Sequence, residues 1–313
     1  MIEMINHNFI INPQGELVNW VHLENPTEQE IQEILLKYPM PRDFITGGTD
    51  VDEPSRYEQQ FQENGNELDL FVFSYPFFDE QKNRMNNYYT LPISIVLSDD
   101  FIITTTMKHH NLINQIKRPP DLSPQLSINS WLMRTFWIIS REYINQLKLI
   151  KNKLTEIEYQ VSSSTENTIL YDLVGLNKGL IYFETAIQGN SRILKTIENE
   201  TEEYGFSAKQ SEMLRDVQIE HFQALTLVMK LKEMIEKLSD MLSNIINNNM
   251  NQVMKRLTAW TILLTVPTIT SAIWGMNVDL PFDRSPQGFI IVMALTAILT
   301  YYVYRWLKNS QNM

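Results

Sequence analysis

No cysteine occurs anywhere in the chain, so disulfides and thiolate metal centres are excluded. Basic residues are in deficit. Lys and Arg total 26 against 37 Asp and Glu, a formal net charge of −11. That balance denies the chain the basic footprint nucleic acid requires, and it suits a protein that handles cations. No glycine-rich phosphate loop follows a predicted strand, Gly47-Gly48 reading only as a turn. Neither a nucleophile with its base nor a ligand cluster at metal spacing stands out, so an enzyme is the least favoured class. Of the five histidines only His109 and His110 are adjacent. Neighbouring side chains point in different directions, so a solvated pair is favoured over a zinc-ligand pair. Met1 to Phe9 also lacks the basic opening and apolar stretch of a targeting signal, and the N-terminal part is expected in the cytoplasm.

Charge is missing in a more telling way near the C-terminus. From Leu257 to Val278, and again from Gly288 to Tyr304, there is no Asp, Glu, Lys, Arg or His. Each run approaches the length that crosses a hydrocarbon core of roughly 30 Å at about 1.5 Å per residue. The mean hydropathy of −0.23 hides this hairpin, because residues 1–256 are polar enough to face water and numerous enough to bury a core of their own. Lys255 and Arg256 precede the first run, and Arg305 and Lys308 close the second. The connecting loop holds Asp279, Asp283 and only Arg284. The positive-inside rule then predicts both termini in the cytoplasm and the loop outside.

Upstream, two regimes are legible. In the first, Phe9-Ile10-Ile11 and Leu17 to Val21 read as strands around the turn Asn12-Pro13-Gln14-Gly15. Thr27-Glu28-Gln29-Glu30 is a capping box ahead of the apolar stripe Ile31, Ile34 and Leu35. Leu68–Phe78, Tyr88–Leu97 and Phe101–Thr106 are rich in β-branched and aromatic residues, with Ser98-Asp99-Asp100 as a tight turn. The second regime starts near Ser127, where no proline intervenes until Pro267 and helical periodicity takes over. Helices are predicted from Ser130 to Ser162, from Glu166 to about Glu200, and from Ser207 to Trp274, separated by Ser162-Ser163-Ser164-Thr165 and Tyr204-Gly205-Phe206. The last helix would be about 100 Å long, a stalk continuous with the first span. The boundaries are therefore a cytoplasmic α/β domain at 1–126, a helical hairpin at 127–206, the stalk at 207–256 and the first span at 257–276. An external loop at 277–287, the second span at 288–307 and a tail at 308–313 complete the chain.

The stalk carries Val228, Leu231, Ile235, Leu238, Leu242 and Ile245 at alternating spacings of three and four. Such a seam packs either against the chain's own helices or against identical stalks in a symmetric bundle, and the bundle is favoured. Carried forward, the spacing selects Asn247, Asn251, Met254, Thr258, Thr261, Thr265, Thr268 and Ala272. Inside an apolar segment it picks threonines instead of the surrounding leucines and isoleucines. A single threonine in a membrane helix bonds back to its own i−4 carbonyl or packs at a helix contact. Four in one stripe, with Asn244 to Asn251 before them and Asn277 after, favour a water-facing lining around a shared axis. Neutral oxygens suit Mg²⁺, which releases its waters reluctantly and is handled as a hydrate, whereas a bare-ion site or proton relay would need an intramembrane acid or base.

At the outer end of the first span stands Trp274-Gly275-Met276-Asn277. A Gly-Met-Asn turn between two C-terminal spans resembles the CorA-type magnesium channel family, and the resemblance runs the length of the chain. It is strongest from Arg215 to Asn277, including Arg215-Asp216-Val217 and Asn251-Gln252-Val253-Met254-Lys255-Arg256-Leu257-Thr258. The resemblance implies an α+β cytoplasmic domain, a long stalk helix and two transmembrane helices assembled as a funnel-shaped homopentamer. It implies a selectivity filter at Gly275, Met276 and Asn277, with Gly275 letting the chain leave helical geometry. Thr268 and Thr265 would form the upper pore, and Leu257, Met254 and Asn251 the cytoplasmic constriction. It puts Leu257 on the axis where periodicity chooses Thr258. The family senses cytoplasmic Mg²⁺ between subunits, which implies Asp216 on the stalk and Asp43 in Pro41-Arg42-Asp43-Phe44-Ile45, with Asp50, Asp52 and Glu53 as alternatives to Asp43. Two facing carboxylates repel unless a divalent cation sits between them, so Mg²⁺ would fasten subunits and its loss would loosen them. The chain departs from the family in Val278-Asp279-Leu280-Pro281-Phe282-Asp283, where Met-Pro-Glu is common, and in Trp274, where tyrosine is. Met276 favours Mg²⁺ over Zn²⁺. The expected function is membrane-potential-driven uptake of hydrated Mg²⁺, the partners being further copies of the chain, the lipid bilayer and divalent cations. A Zn²⁺, Co²⁺ or Ni²⁺ transporter and a non-conducting membrane-anchored oligomeric sensor are the alternatives.

Overall fold

The computed structural model describes residues 1–5, 9–61, 67–80, 87–118, 125–161, 167–199, 206–276 and 286–310. Asn277, the loop acids Asp279 and Asp283, Arg284, and the breaks at Ser162-Ser163-Ser164-Thr165 and Tyr204-Gly205 lie outside the described residues. Two compact units divide the chain, Met1–Ser239 and Asp240–Met313.

The first unit is built on a six-stranded sheet in the order β1-β3-β7-β6-β5-β4. Its strands are β1 (Ile2–Ile5), β3 (Asn19–Glu24), β4 (Arg56–Phe61), β5 (Glu67–Phe78), β6 (Tyr88–Leu97) and β7 (Phe101–Thr106). A two-residue β2 (Ile10–Ile11) pairs in parallel with β8 (Leu126–Ser127). β5, β6 and β7 form a meander, and β3 enters in parallel beside β7 with Trp20 opposite Ile102 and His22 opposite Thr104. Alternation then sorts the side chains. Val21, Leu23, Leu70, Val72 and Ile103 face α1 (Glu28–Lys37) and the short α2 (Asp43–Thr46), where Ile31, Ile34, Phe44 and Ile45 complete a buried cluster. The capping box opens α1 as predicted, the Thr27 hydroxyl accepting from Glu30 N and Glu30 Oε2 accepting from Thr27 N at 2.8 Å. Gly48 follows α2 so closely against β7 that an added Cβ would collide with the Thr105 backbone.

Trp20, Phe71 and Phe73 project from the other face onto α4 (Ile128–Val161). Trp131 meets Trp20 edge-on at 5.0 Å, and Phe136 stacks on Phe73 at 3.8 Å. Against α4 packs α3 (Asn111–Lys117), whose N-terminus is capped by His110 Nδ1 accepting from Leu112 N at 3.1 Å. The histidine pair is thus split. His109 is exposed and reaches Glu24, while His110 is partly buried against Tyr75 and Phe77, so the expectation of a solvated pair holds only for the first of them.

Next comes α5 (Asn167–Asn199), tied to β5 through Asn190, which is fully buried. Its Oδ1 accepts from Ser74 N and the Ser55 hydroxyl, and its Nδ2 donates to Ser74 O. Then α6 runs for 67 residues from Ala208 to Trp274. His221 docks it within the first unit: Nε2 donates to Ile187 O of α5 at 2.7 Å, which leaves Nδ1 to accept from the Ser140 hydroxyl of α4 at 3.0 Å. About three turns beyond His221, Lys232 pairs with Glu184 of α5 at 2.6 Å. The last helix is α7 (Pro286–Ser310).

The stalk seam is resolved by burial. Val228, Leu231, Ile235 and Leu238 are no more than 6% exposed inside a single chain. The favoured reading of a seam shared between identical stalks is therefore corrected for these positions. They pack on the chain's own helices, because α5 offers an apolar face at the level of Glu184 and Ile187.

Candidate ion pathway

Among the described residues, two helices are long and apolar enough to cross a membrane: α6, through its C-terminal part, and α7 from Gly288 to Asn309. In the second unit they lie side by side, with the hydroxyls of Thr270 and Thr296 3.1 Å apart. Such a contact between spans satisfies polar groups that lipid cannot. Leu263, Pro267, Ser271 and Trp274 of α6 share a cavity of about 890 Å³ with Val292, Thr296 and Thr300 of α7. Pro267 has no N–H to give to the carbonyl of Leu263, yet the helix passes through it unbroken.

The half-buried positions of this stretch are Ala259, Leu263, Val266, Pro267, Thr270 and Trp274, spaced by three and four apart from the adjacent Val266 and Pro267, and turned to α7. At about 100° per residue, Thr258, Thr261, Thr265, Thr268 and Ala272 fall on the opposite side of the helix. All five are exposed in the single chain, as are Asn251, Met254 and Leu257. The predicted stripe is therefore not the face that packs on the second span. Leu257 and Thr258 flank its centre on either side and are both exposed.

Each hydroxyl of the stripe donates to the carbonyl four residues back: Thr258 to Met254 and Thr261 to Leu257, both at 2.9 Å, Thr265 to Thr261 at 2.8 Å, and Thr268 to Leu264 at 2.9 Å. Thr185 and Thr226 do the same on the water-exposed helices of the first unit. The bond consumes the only proton of the hydroxyl and leaves its lone pairs facing outward. The stripe is consequently a ladder of acceptors.

The seam and the stripe are not one continuous register. From Ile245 to Asn247 the spacing is two residues, a rotation of about 200°, so the buried seam and the exposed stripe occupy different faces of α6. Gly275 follows the last residue of α6. Its N–H still donates to Ser271 O at 3.0 Å, and Met276 then draws in with an i−3 bond to Ile273 O. Met276 is exposed, and the third residue of the motif lies outside the described residues.

Asp43 and Asp216 belong to the first unit. Asp216 is exposed on α6 beside the buried Leu214 and Val217. Asp43 opens α2 and pairs with Arg56 at 3.6 Å, and Arg56 also holds Glu53 and, at 2.8 Å, Glu58. Of the alternative acids, Asp50 accepts from Asp52 N at 3.1 Å, and Glu53 is committed to Arg56. No trio of acids and histidines arranged to hold a metal occurs among the described residues. Sequence reading did not identify Arg56 as the partner of these acids, because nothing local marks a cation that reaches back to α2 from the start of an edge strand. The Thr270–Thr296 contact was also missed, though the i, i+4 pair Thr296 and Thr300 in an apolar helix was its signal.

A mixed α/β unit, one helix shared with a two-span unit, and an acceptor-lined face left free by the second span define a membrane protein of the ion-transporting kind. The chain matches the family described as CorA-like Mg²⁺ transporter protein over residues 15–309, and it belongs to that family, whose members are ion transporters and not enzymes. It is 24% identical over 301 residues to the cobalt/magnesium transport protein CorA of Methanocaldococcus jannaschii, covering 93% of this chain and 90% of the relative. The complete structure of the CorA magnesium transporter from that organism superposes with a TM-score of 0.77 at 21% identity, over 93% of this chain and 91% of the other. The structure of the full-length CmaX protein gives 0.67 at 12% identity, over 93% and 88%. The fold is thus CorA-like, with its soluble α/β part, long helix and two candidate spans.

Proposed function

We propose that this chain is a Mg²⁺ channel in which several copies, five by family resemblance, arrange the threonine face of α6 around a common axis. The observation that carries the reading is the exposure of that face opposite α7. A hydrated Mg²⁺ presents only water protons to its surroundings, so it needs acceptors and no donors. Threonines whose protons are already committed to i−4 carbonyls supply that. Asn277 would add amide oxygens at the outer mouth, with Gly275 and Met276 shaping the filter, and Asn251, Met254 and Leu257 or Thr258 would form the narrow inner part. With both termini in the cytoplasm, inward movement of a divalent ion gains about 4.6 kcal/mol per 100 mV, so the gradient alone drives uptake.

Regulation is proposed at Asp43 and Asp216. Each is exposed in one chain, which is what a site completed by a neighbouring subunit requires. Mg²⁺ bound between them would hold subunits together and the pore shut. The Arg56 pairing of Asp43 means the ion has to compete with an internal cation.

Flux into proteoliposomes under an inward-negative potential tests the reading, with Mg²⁺ uptake challenged by Co²⁺, Ni²⁺ and Zn²⁺. Mg²⁺ uptake weakened by Co²⁺ is expected, since a face of neutral oxygen acceptors that meets the ion through its waters takes either divalent hydrate. Preferential Zn²⁺ uptake would favour the alternative ion, and absence of any flux would favour a non-conducting sensor.

A further inference from the structure

We propose that the cleft between α6 and α7 binds one anionic phospholipid, its phosphate held by Arg256 and Lys308 and an acyl chain laid along the apolar hollow beyond them. The proposal takes α6 and α7 to span a bilayer and does not depend on which ion crosses it. A cavity of about 250 Å³ opens where the uncharged run of α6 begins, with Arg256 and Lys308 in its wall and no acid among its lining residues. Trp260 and Tyr304 stand beside the two cations. Aromatic rings with a polar edge favour that depth, at the boundary of headgroup and hydrocarbon. Leu263 and Tyr304 then line both this cavity and the 890 Å³ one, so the charged mouth leads directly into a hollow walled by Pro267, Val292, Met293 and Ala297. Cations, then aromatic rings, then aliphatic wall is the order of polarity along an anionic phospholipid.

Charge decides between occupants. A second copy of the chain would bring its own Lys255, Arg256, Arg305 and Lys308 to the same depth, adding like charges to a cationic mouth. Free phosphate would satisfy the mouth and leave the larger hollow unfilled. A lipid phosphate complements the charge, and its chain covers the apolar wall. None of these residues belongs to the threonine stripe, so lipid and ion use different sides of α6.

Native mass spectrometry of the detergent-solubilised full chain tests this with phosphatidylglycerol, phosphatidylcholine of the same chain length, and inorganic phosphate as competitor. Retention of one phosphatidylglycerol per chain is expected, phosphatidylcholine being lost and phosphate failing to displace the lipid. Arg256→Gln with Lys308→Gln should weaken retention about thirty-fold, at roughly one charge's worth of surface attraction each. Ala297→Trp, which fills the hollow and spares both cations, should weaken it as well, and it covers the case in which the double variant misfolds. Equal retention of the two lipids, unaltered retention by both variants, or displacement by phosphate would overturn the proposal. A photoreactive probe on Ala297→Cys, the chain's only thiol, that captures a neighbouring chain instead of lipid would also overturn it. Lipid binding without Mg²⁺ flux would count against the transport reading and leave this one standing.

Discussion

Thr104 Oγ1 accepts from the Trp20 indole at 3.1 Å and lies 2.9 Å from His22 Nδ1, inside the layer between sheet and α4. Burial holds His22 neutral and pushes its pKa down to about 4. A depressed histidine contributes stability that is fully present above its unfolded pKa of about 6.5 and is lost as pH falls toward 4, because only the unfolded chain takes the proton. His110 and His221, both lowered by burial, act in the same direction. The thermal midpoint should therefore fall between pH 7 and pH 5, and His22→Gln should flatten that dependence by removing about 2 kcal/mol of it over those two pH units. Circular dichroism of the detergent-solubilised protein across that range measures it. Asn190 is the other residue whose loss should be felt. Asn190→Ala leaves Ser74 N without its side-chain acceptor in a buried site, while Ser74 O keeps the Tyr143 hydroxyl, and a loss of about 1–3 kcal/mol is expected in denaturant titrations.

On the scale of elements, α6 has two faces with different tasks, and they are separable by substitution. Leu231→Ala or Ile235→Ala opens a cavity against α5 and should cost about 2–5 kcal/mol of stability without altering ion preference. Thr265→Cys should instead leave stability unchanged and react with a water-soluble thiol reagent, while Leu263→Cys, turned to α7, should react far more slowly. The chain's lack of cysteine makes both measurements clean. Much of this architecture was legible beforehand. β5, β6 and β7 announce themselves by β-branched and aromatic density, and α4, α5 and α6 by uninterrupted periodicity. β4 was not, because Arg56-Tyr57-Glu58-Gln59-Gln60-Phe61 is a mostly polar edge strand, held by pairing to β5 and not by burial. The face assignment within α6 was only half legible. Three-and-four spacing says that a stripe exists but not what covers it, and although the two-residue step from Ile245 to Asn247 can be counted in the sequence, burial is what shows that the faces on either side of it have different neighbours.

For the whole molecule the account joins an acceptor-lined path to a sensor shared between copies. Asp216→Asn should relieve inhibition by millimolar internal Mg²⁺ and leave maximal uptake intact, since it removes one carboxylate of the sensor and nothing from the path. Arg56→Gln should shift inhibition to lower Mg²⁺, because Asp43 loses the cation that competes with the ion. Both are read from uptake against internal Mg²⁺ concentration. The central claim is tested most directly by Mg²⁺ flux into proteoliposomes containing the chain with Thr261, Thr265 and Thr268 replaced by leucine. Leucine keeps the helix and its apolar length while removing the acceptors, so the account predicts a correctly assembled protein whose flux falls at least a hundredfold. Undiminished flux from that assembled variant would contradict it.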